Sequence, residues 1–225
     1  MGDGRKTGSG LAVDVCRRPK SGRESYLEPE ERMALRTADV YQVDKDVDTL
    51  NYSEKLLSIV ATFKNSGRPE GFNAQSMVGR SKRGEVALRL FAVVEGGVSR
   101  PPRFARVGFK SRGCLAMTAC ASAICDLVEG LTFEEALAIT PDQVKDAVGG
   151  VPWDKLHTPV FAVEAVRGLV GDWLIRQGAT FSELEAKLPC DPLSPGCLVC
   201  EHCSLRDFRT DLRMDALVAK AKARS

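Results

Sequence analysis

The chain is poor in several things that would announce a function. It has only two histidines, two tryptophans and three tyrosines. Its 32 lysines and arginines nearly cancel its 30 acidic residues, leaving a net charge of +2. The two signs are interspersed, and no basic patch carries the aromatic rings on which bases would stack, so nucleic acid is not an expected partner. No apolar run reaches the roughly 18 residues that a membrane-spanning helix needs. The leading MGDGRKTGSG lacks the apolar segment of a secretory signal, and Lys6 breaks the myristoylation pattern, which points to a cytoplasmic protein. There is no Gly-rich phosphate loop and no internal repeat. The nearest approach to a nucleophile with its base is Cys114 with His157, too little to expect an enzyme.

What the sequence does have is cysteine, eight in all. In a reducing compartment these are metal ligands or buried thiols rather than disulfides. With 44% hydrophobic residues, the chain can bury one core and still leave terminal segments over. Residues 1–50 are polar, rich in Gly, Arg and Asp, and read as an amino-terminal arm with one short helix over 28–40 and an isolated Cys16.

The chain is organised around 108–140. Gly113 is expected to take a backbone conformation closed to other residues, after which strong helix formers run until Gly130 stops them. Cys114 stands at the start of that helix, where unpaired backbone N–H groups and the helix dipole favour a thiolate. Its alternative role is to fill a small apolar gap. Cys125 shares a helix face with Cys114 but lies on the order of 16 Å away, so those two cannot hold one metal. Cys120 and Cys125 are expected in the core.

Around this stretch the periodicity predicts a helix over 52–65, with Leu56, Ile59, Val60 and Phe63 on one side. Alternation over 85–95 puts Val86, Leu88, Leu90, Ala92 and Val94 on one strand face. Gly96-Gly97 then turns into a second strand over 98–109, with Pro101-Pro102 bulging near an edge. A short helix over 132–138 has Thr132 and Glu135 at capping-box spacing. The loop 147–153 would deliver His157 toward Cys114. Thr158-Pro159 reads as a helix start, followed by a core stripe of Val160, Phe161, Val163, Val166, Leu169, Val170, Trp173 and Leu174. The class is α+β, a small antiparallel sheet backed by helices.

Five segments in order, YSEKLL (52–57), VGRSKRGEV (78–86), ARVGFKSRGC (105–114), VEGLTFEEALAI (128–139) and LHTPVFAVEAV (156–166), resemble the landmarks of the U-type iron–sulfur scaffold family, which includes IscU and the N-terminal domain of NifU. The resemblance implies a three-stranded sheet backed by helices over 51–178. It also implies a [2Fe–2S] site of three cysteines, an aspartate and a histidine, and a cysteine desulfurase as partner. Carried over position by position, the second cysteine is Cys114, the histidine is His157 and the aspartate is Glu85. The first cysteine falls on Arg83 and the third on Thr158. With two thiolates gone and a permanent cation in place of one, the site cannot neutralise iron as the family does. Arg83 can instead pair with Glu85, and zinc on Cys114, His157 and Glu85 is the alternative occupant. The stretch Val151-Pro152-Trp153-Asp154-Lys155 replaces the family's chaperone-binding Leu-Pro-Pro-Val-Lys.

Beyond Gly178 the composition changes. A short helix over 181–188 leads into CDPLSPGCLVCEHC, which spaces Cys190, Cys197, Cys200 and Cys203 as C-x6-C-x2-C-x2-C. Two-residue spacers let successive thiolates reach neighbouring irons, as in the cysteine run of bacterial ferredoxins, so a [4Fe–4S] cluster is the expected occupant. Zinc is the competitor, on four cysteines or on three with His202. The chain therefore divides into an arm (1–50), a U-type domain (51–178) and a cysteine tail (179–225). Two functions follow: an accessory in iron–sulfur cluster assembly or delivery, or a non-catalytic electron-relay or structural subunit of a larger redox complex.

Overall fold

The computed structural model describes residues 51–80, 85–97, 100–190 and 203–223. The expectations for 1–50, including the helix over 28–40 and Cys16, lie outside them, as do Arg83, Cys197, Cys200 and His202.

The first helix, α1 (Glu54–Thr62), begins where the Ser53 hydroxyl accepts the Leu56 N–H at 3.1 Å. That cap trims the expected helix at its start. Leu56 is fully buried, and Ile59, Val60 and Phe63 pack against the core from its rim.

Three antiparallel strands follow in the order β1 (Ala74–Arg80), β2 (Val86–Gly97) and β3 (Arg100–Ser111). Leu88, Leu90, Ala92 and Val94 are buried on the predicted face. Ala87 and Phe91 on the opposite face are buried as well, Phe91 meeting Phe72 edge-on at 5.5 Å. Gly96 and Gly97, at φ +106° and +156°, begin the turn that brings Arg100 opposite Gly97. The register slips between Glu95 and Gly97, opposite Pro101-Pro102 on an outer strand, as prolines at a sheet edge require.

The other outer strand, β1, carries no clean alternation in its sequence AQSMVGR, and only the family resemblance anticipated a third strand. Its outward N–H groups are met by side chains instead of a fourth strand. Gln75 N donates to Asp172 Oδ2 at 2.8 Å and Met77 N to Ser204 Oγ at 3.2 Å, while Cys203 forms an antiparallel bridge with Val78. An edge closed this way offers no template for a foreign strand.

Helix α2 (Leu115–Val128) is buried along most of its length and ends before Gly130, whose φ of +84° suits a residue without a Cβ. Short helices α3 (Phe133–Leu137) and α4 (Pro141–Ala147) each start on a reciprocal capping box, Thr132 with Glu135 and Thr140 with Gln143. A 3₁₀ turn (Trp153–Lys155) then leads into the long helix α5 (His157–Arg176). Helix α6 (Phe181–Lys187) carries a third capping box, Thr180 with Glu183, and α7 (Ser204–Lys222) closes the described chain. None of these helices is long and apolar enough to cross a membrane.

α2 and α5 cover the inner face of the sheet, so Val78, Leu90, Phe104 and Phe109 share one core with Ile124, Val166 and Leu169. Leu184, Leu188 and Leu205, all beyond residue 178, belong to that same core. Two glycines of α5 set how closely the later segments sit. A Cβ on Gly168 would lie 2.8 Å from Ser76 Cβ and 3.1 Å from Ser204 Oγ, and one on Gly171 would lie 2.6 Å from Leu205 Cδ1.

Candidate metal-binding sites

The residues expected at the scaffold pocket come from one end of the sheet. β1 ends at Arg80, β2 begins just after Glu85, and β3 ends at Ser111, where Arg112 N still donates to Ala87 O at 2.9 Å. Gly113 and Cys114 follow directly. Gly113 does not have a positive φ, contrary to expectation. It is small for a different reason: a Cβ there would lie 2.7 Å from Met117 Cβ. Cys114 is the N-cap of α2 in an extended conformation, half-buried, and its sulfur makes no capping bond.

Helix α5 enters the same end. Its first turn does not start on Thr158 as the Thr-Pro signature suggested; Leu156 is the N-cap and His157 the first helical residue. The preceding 3₁₀ turn already presents helical backbone at Leu156, so Thr158 lies inside the helix and is buried. Its hydroxyl donates to Lys155 O at 2.9 Å. That spends its only proton, so the contact of 3.5 Å with Cys120 Sγ is a thiol donating to Thr158 Oγ1. The side chain at the family's third-cysteine position is therefore committed to an internal hydrogen-bond chain. Burial above all pushes the Cys120 thiol up to about 12, so it stays protonated. Cys125, buried in the core, is held well above its ordinary value by desolvation, with Asp126 and Glu129 adding to it. Both behave as the core residues that helix geometry predicted.

His157 is half-buried against Phe161, ring centroids 5.4 Å apart. Phe161 in turn lies over Gly79 near the end of β1, where a Cβ would come within 2.4 Å of its ring. Burial holds the imidazole below its ordinary pKa, with the Lys155 ammonium acting the same way and Asp154 opposing. Lys155 is held above its ordinary value chiefly by its 2.7 Å ion pair with Asp154, and Cys114 contributes. Tyr52 is raised by burial and then by Cys114. Cys114 thus shares its surroundings with Tyr52 and Lys155, neither of which was singled out from sequence; Lys155 was legible only as the last residue of the altered 151–155 stretch. Among the described residues, no three His, Cys, Asp or Glu side chains converge as metal ligands, so Cys114, His157 and Glu85 are not assembled into a three-ligand set.

Of the tail cysteines, Cys190 and Cys203 belong to the described residues. Cys190 is exposed, two residues beyond the fully buried Leu188. Cys203 is half-buried, bridged to Val78 and followed by the buried Ser204 and Leu205. Val78 is two residues from the pocket end of β1, so Cys203 lies at the same end of the sheet as Cys114 and His157.

Comparison with known proteins identifies the family. The model of the NifU-like N terminal domain family matches residues 51–180. The chain belongs to this family. Iron-sulfur cluster assembly scaffold protein IscU 1 of Archaeoglobus fulgidus is 30% identical over 127 residues, 56% of this chain and 79% of that protein. Nitrogen fixation protein NifU of Nostoc sp. is 30% identical over 126 residues, covering 53% of this chain and 41% of that protein, so the likeness reaches well under half of that NifU. IscU of Aquifex aeolicus is 28% identical over 142 residues, 63% of this chain and 86% of that protein. A solved nitrogen-fixing NifU-like protein (N-terminal) from Brucella abortus aligns with 62% of this chain at 17% identity and a TM-score of 0.34.

Proposed function

We propose that this NifU-like chain is an accessory of iron–sulfur cluster assembly or delivery that carries a [4Fe–4S] cluster on Cys190, Cys197, Cys200 and Cys203, with a cysteine desulfurase among its partners. It has no catalytic chemistry of its own. The observation that supports this most directly is the commitment of Thr158. A neutral hydroxyl, buried and bonded to Lys155 O and Cys120 Sγ, brings neither the negative charge nor the soft sulfur of a thiolate. With Arg83 at the first-cysteine position, Cys114 is the one cysteine left at the family's pocket, and that donor set does not fit a cluster. The four thiols of the tail are the soft donor set that does fit one, and when bound the cluster supplies one-electron chemistry or transferable iron and sulfide.

The fixed position of Cys203 favours a second reading, in which the tail cluster is a permanent relay or structural centre in a redox complex. A ligand bridged to a sheet strand is not free to open for release. Anaerobic purification of the full chain, with iron, sulfide and zinc analysis, tests the shared premise. Four irons and four sulfides with broad visible absorption support it, and stoichiometric zinc on a colourless protein overturns it. Incubation with an apo-ferredoxin separates the readings: a cluster that moves supports assembly, and one that never leaves supports the relay.

A further inference from the structure

Helix α7 has two faces that could pack, and the domain uses one of them. Leu205 is buried on that face and Leu212 packs at the rim of the core. Arg209 joins them, donating from Nε to Glu185 Oε1 at 2.5 Å and from Nη2 to the carbonyl of Leu188. Beyond Leu212 the helix runs clear of the domain, every residue from Arg213 to Ala223 being exposed. At about 100° per residue, Met214, Leu217, Val218 and Ala221 form one stripe with i, i+3, i+4, i+7 spacing, on the side opposite Leu205 and Leu212. Met214, Leu217 and Val218 are 55%, 54% and 48% exposed, three of the five large apolar side chains left exposed among the described residues.

The domain cannot cover this stripe by rolling the helix, because that would bring Leu205 and Arg209 out of their contacts. A few projecting turns gain little from helix propensity alone and need packing to persist. The charges along the stripe select what packs there. Asp207 and Asp211 stand early on one edge, and Lys222 stands late on the same edge. An antiparallel pair of two α7 helices, centred between Ala216 and Leu217, sets Leu217 against Leu217 of the second copy and Met214 against its Val218. It also brings Asp211 level with Lys222 of the second copy, twice by symmetry. Asp207 then falls past the end of the other helix. In a parallel pair Asp207 would meet its own copy, and an anionic lipid surface would be repelled by both aspartates.

We propose that α7 is a homodimerisation helix, through which two copies of this chain pair antiparallel along Met214, Leu217, Val218 and Ala221, with Asp211 of each facing Lys222 of the other. Because the stripe is opposite the seated face, the two domains lie on the outer sides of the helix pair. The stripe is short, so the dimer depends on concentration rather than being obligate. The two Cys203 residues, each just before α7, stand on the order of 40 Å apart along the pair, so the copies do not share one metal between their tails.

Sedimentation velocity of the full chain, anaerobic and with reductant, from micromolar to millimolar concentration, tests this. Wild type should pass from monomer to dimer. Leu217→Glu puts a charge at the centre of the seam while keeping a good helix former at an exposed position, so circular dichroism should match wild type and self-association should weaken roughly tenfold or more. Asp211→Lys and Lys222→Asp should each weaken the dimer several-fold, and an equimolar mixture of the two should restore it, because their heterodimer regains both attractive pairs. A chain that stays monomeric throughout leaves the stripe to another partner and overturns the inference. So does a dimer indifferent to Leu217→Glu, which places the contact elsewhere, and so do charge variants that mixing fails to rescue.

Discussion

Replacing Gly168 with alanine places a methyl group where α5, β1 and the start of α7 meet. By helix propensity alone the change should stabilise the protein by about 1 kcal/mol. The new Cβ, however, would stand 2.8 Å from Ser76 Cβ and 3.1 Å from Ser204 Oγ. Carbon atoms in good contact are about 3.5–4.0 Å apart, so the helix must lift from the strand or the strand must bend. Ser76 Cβ is fixed to the backbone of β1 and cannot rotate away. Overpacking of this kind costs roughly 1–3 kcal/mol. Displacing Ser204 Oγ also weakens its bond from Met77 N, at about 1 kcal/mol for a bond of that type. The net expectation is a loss of about 1–3 kcal/mol, which at roughly 2–4 °C per kcal/mol for a chain of this size lowers Tm by about 2–12 °C. Gly171→Ala is the matched control. Its Cβ would crowd Leu205 Cδ1, at 2.6 Å, with Leu188 and Leu184 at ordinary contact distances, and all three are the ends of side chains rather than atoms fixed to a backbone, so its Tm should fall less than that of Gly168→Ala. Thermal unfolding of both variants by circular dichroism is the assay. A Gly168→Ala protein as stable as wild type, or equal losses in the two variants, would refute the close packing of α5 on β1 and the tail.

Cys120 and Cys125 should resist alkylation in the native protein at pH 8 while Cys114 reacts, and mass mapping after a timed iodoacetamide pulse checks this. Because the folded state holds the Cys120 proton to about 12, above the ordinary thiol value of 9.0, the native state binds more protons than the unfolded one in that window. Stability should therefore fall as pH rises above 9, and Cys120→Ala should flatten part of that slope in denaturant titrations. The depressed His157 pKa has the opposite sense. The unfolded chain takes up the proton first, so this residue removes stability as pH drops below its ordinary 6.5, and NMR titration of its ring should give a midpoint below that value. Thr158→Val leaves the Lys155 carbonyl and the Cys120 thiol without their partner and should cost about 1–3 kcal/mol in urea unfolding.

Much of the fold is local and so was written plainly in the sequence. The Thr132–Glu135 box, the Gly130 stop, the Gly96-Gly97 turn and the alternation of β2 each involve residues a few positions apart, whose geometry the backbone fixes without help from elsewhere. The Thr158-Pro159 start failed because a 3₁₀ turn upstream had already begun the helix. Gly113 was misjudged because its smallness serves Met117 rather than its own φ. β1 was the least legible element: an edge strand fed by Asp172, Ser204 and Cys203 is completed by partners about a hundred residues away, and no pattern within AQSMVGR encodes them.

The candidate sites divide along the same line. Composition and spacing alone determined where the cysteines fall, one at the positions that the family resemblance singles out and four within 190–203, since both follow from which residue occupies which position. Only the tertiary structure decided that Thr158 is bound into a chain with Cys120, that Lys155 and Tyr52 share the neighbourhood of Cys114, that Arg209 of α7 bonds to Glu185 and Leu188, and that Cys203 and Ser204 meet β1. Those outcomes depend on burial and on hydrogen bonds between segments remote in the chain, and such contacts exist only once the core that holds them has closed.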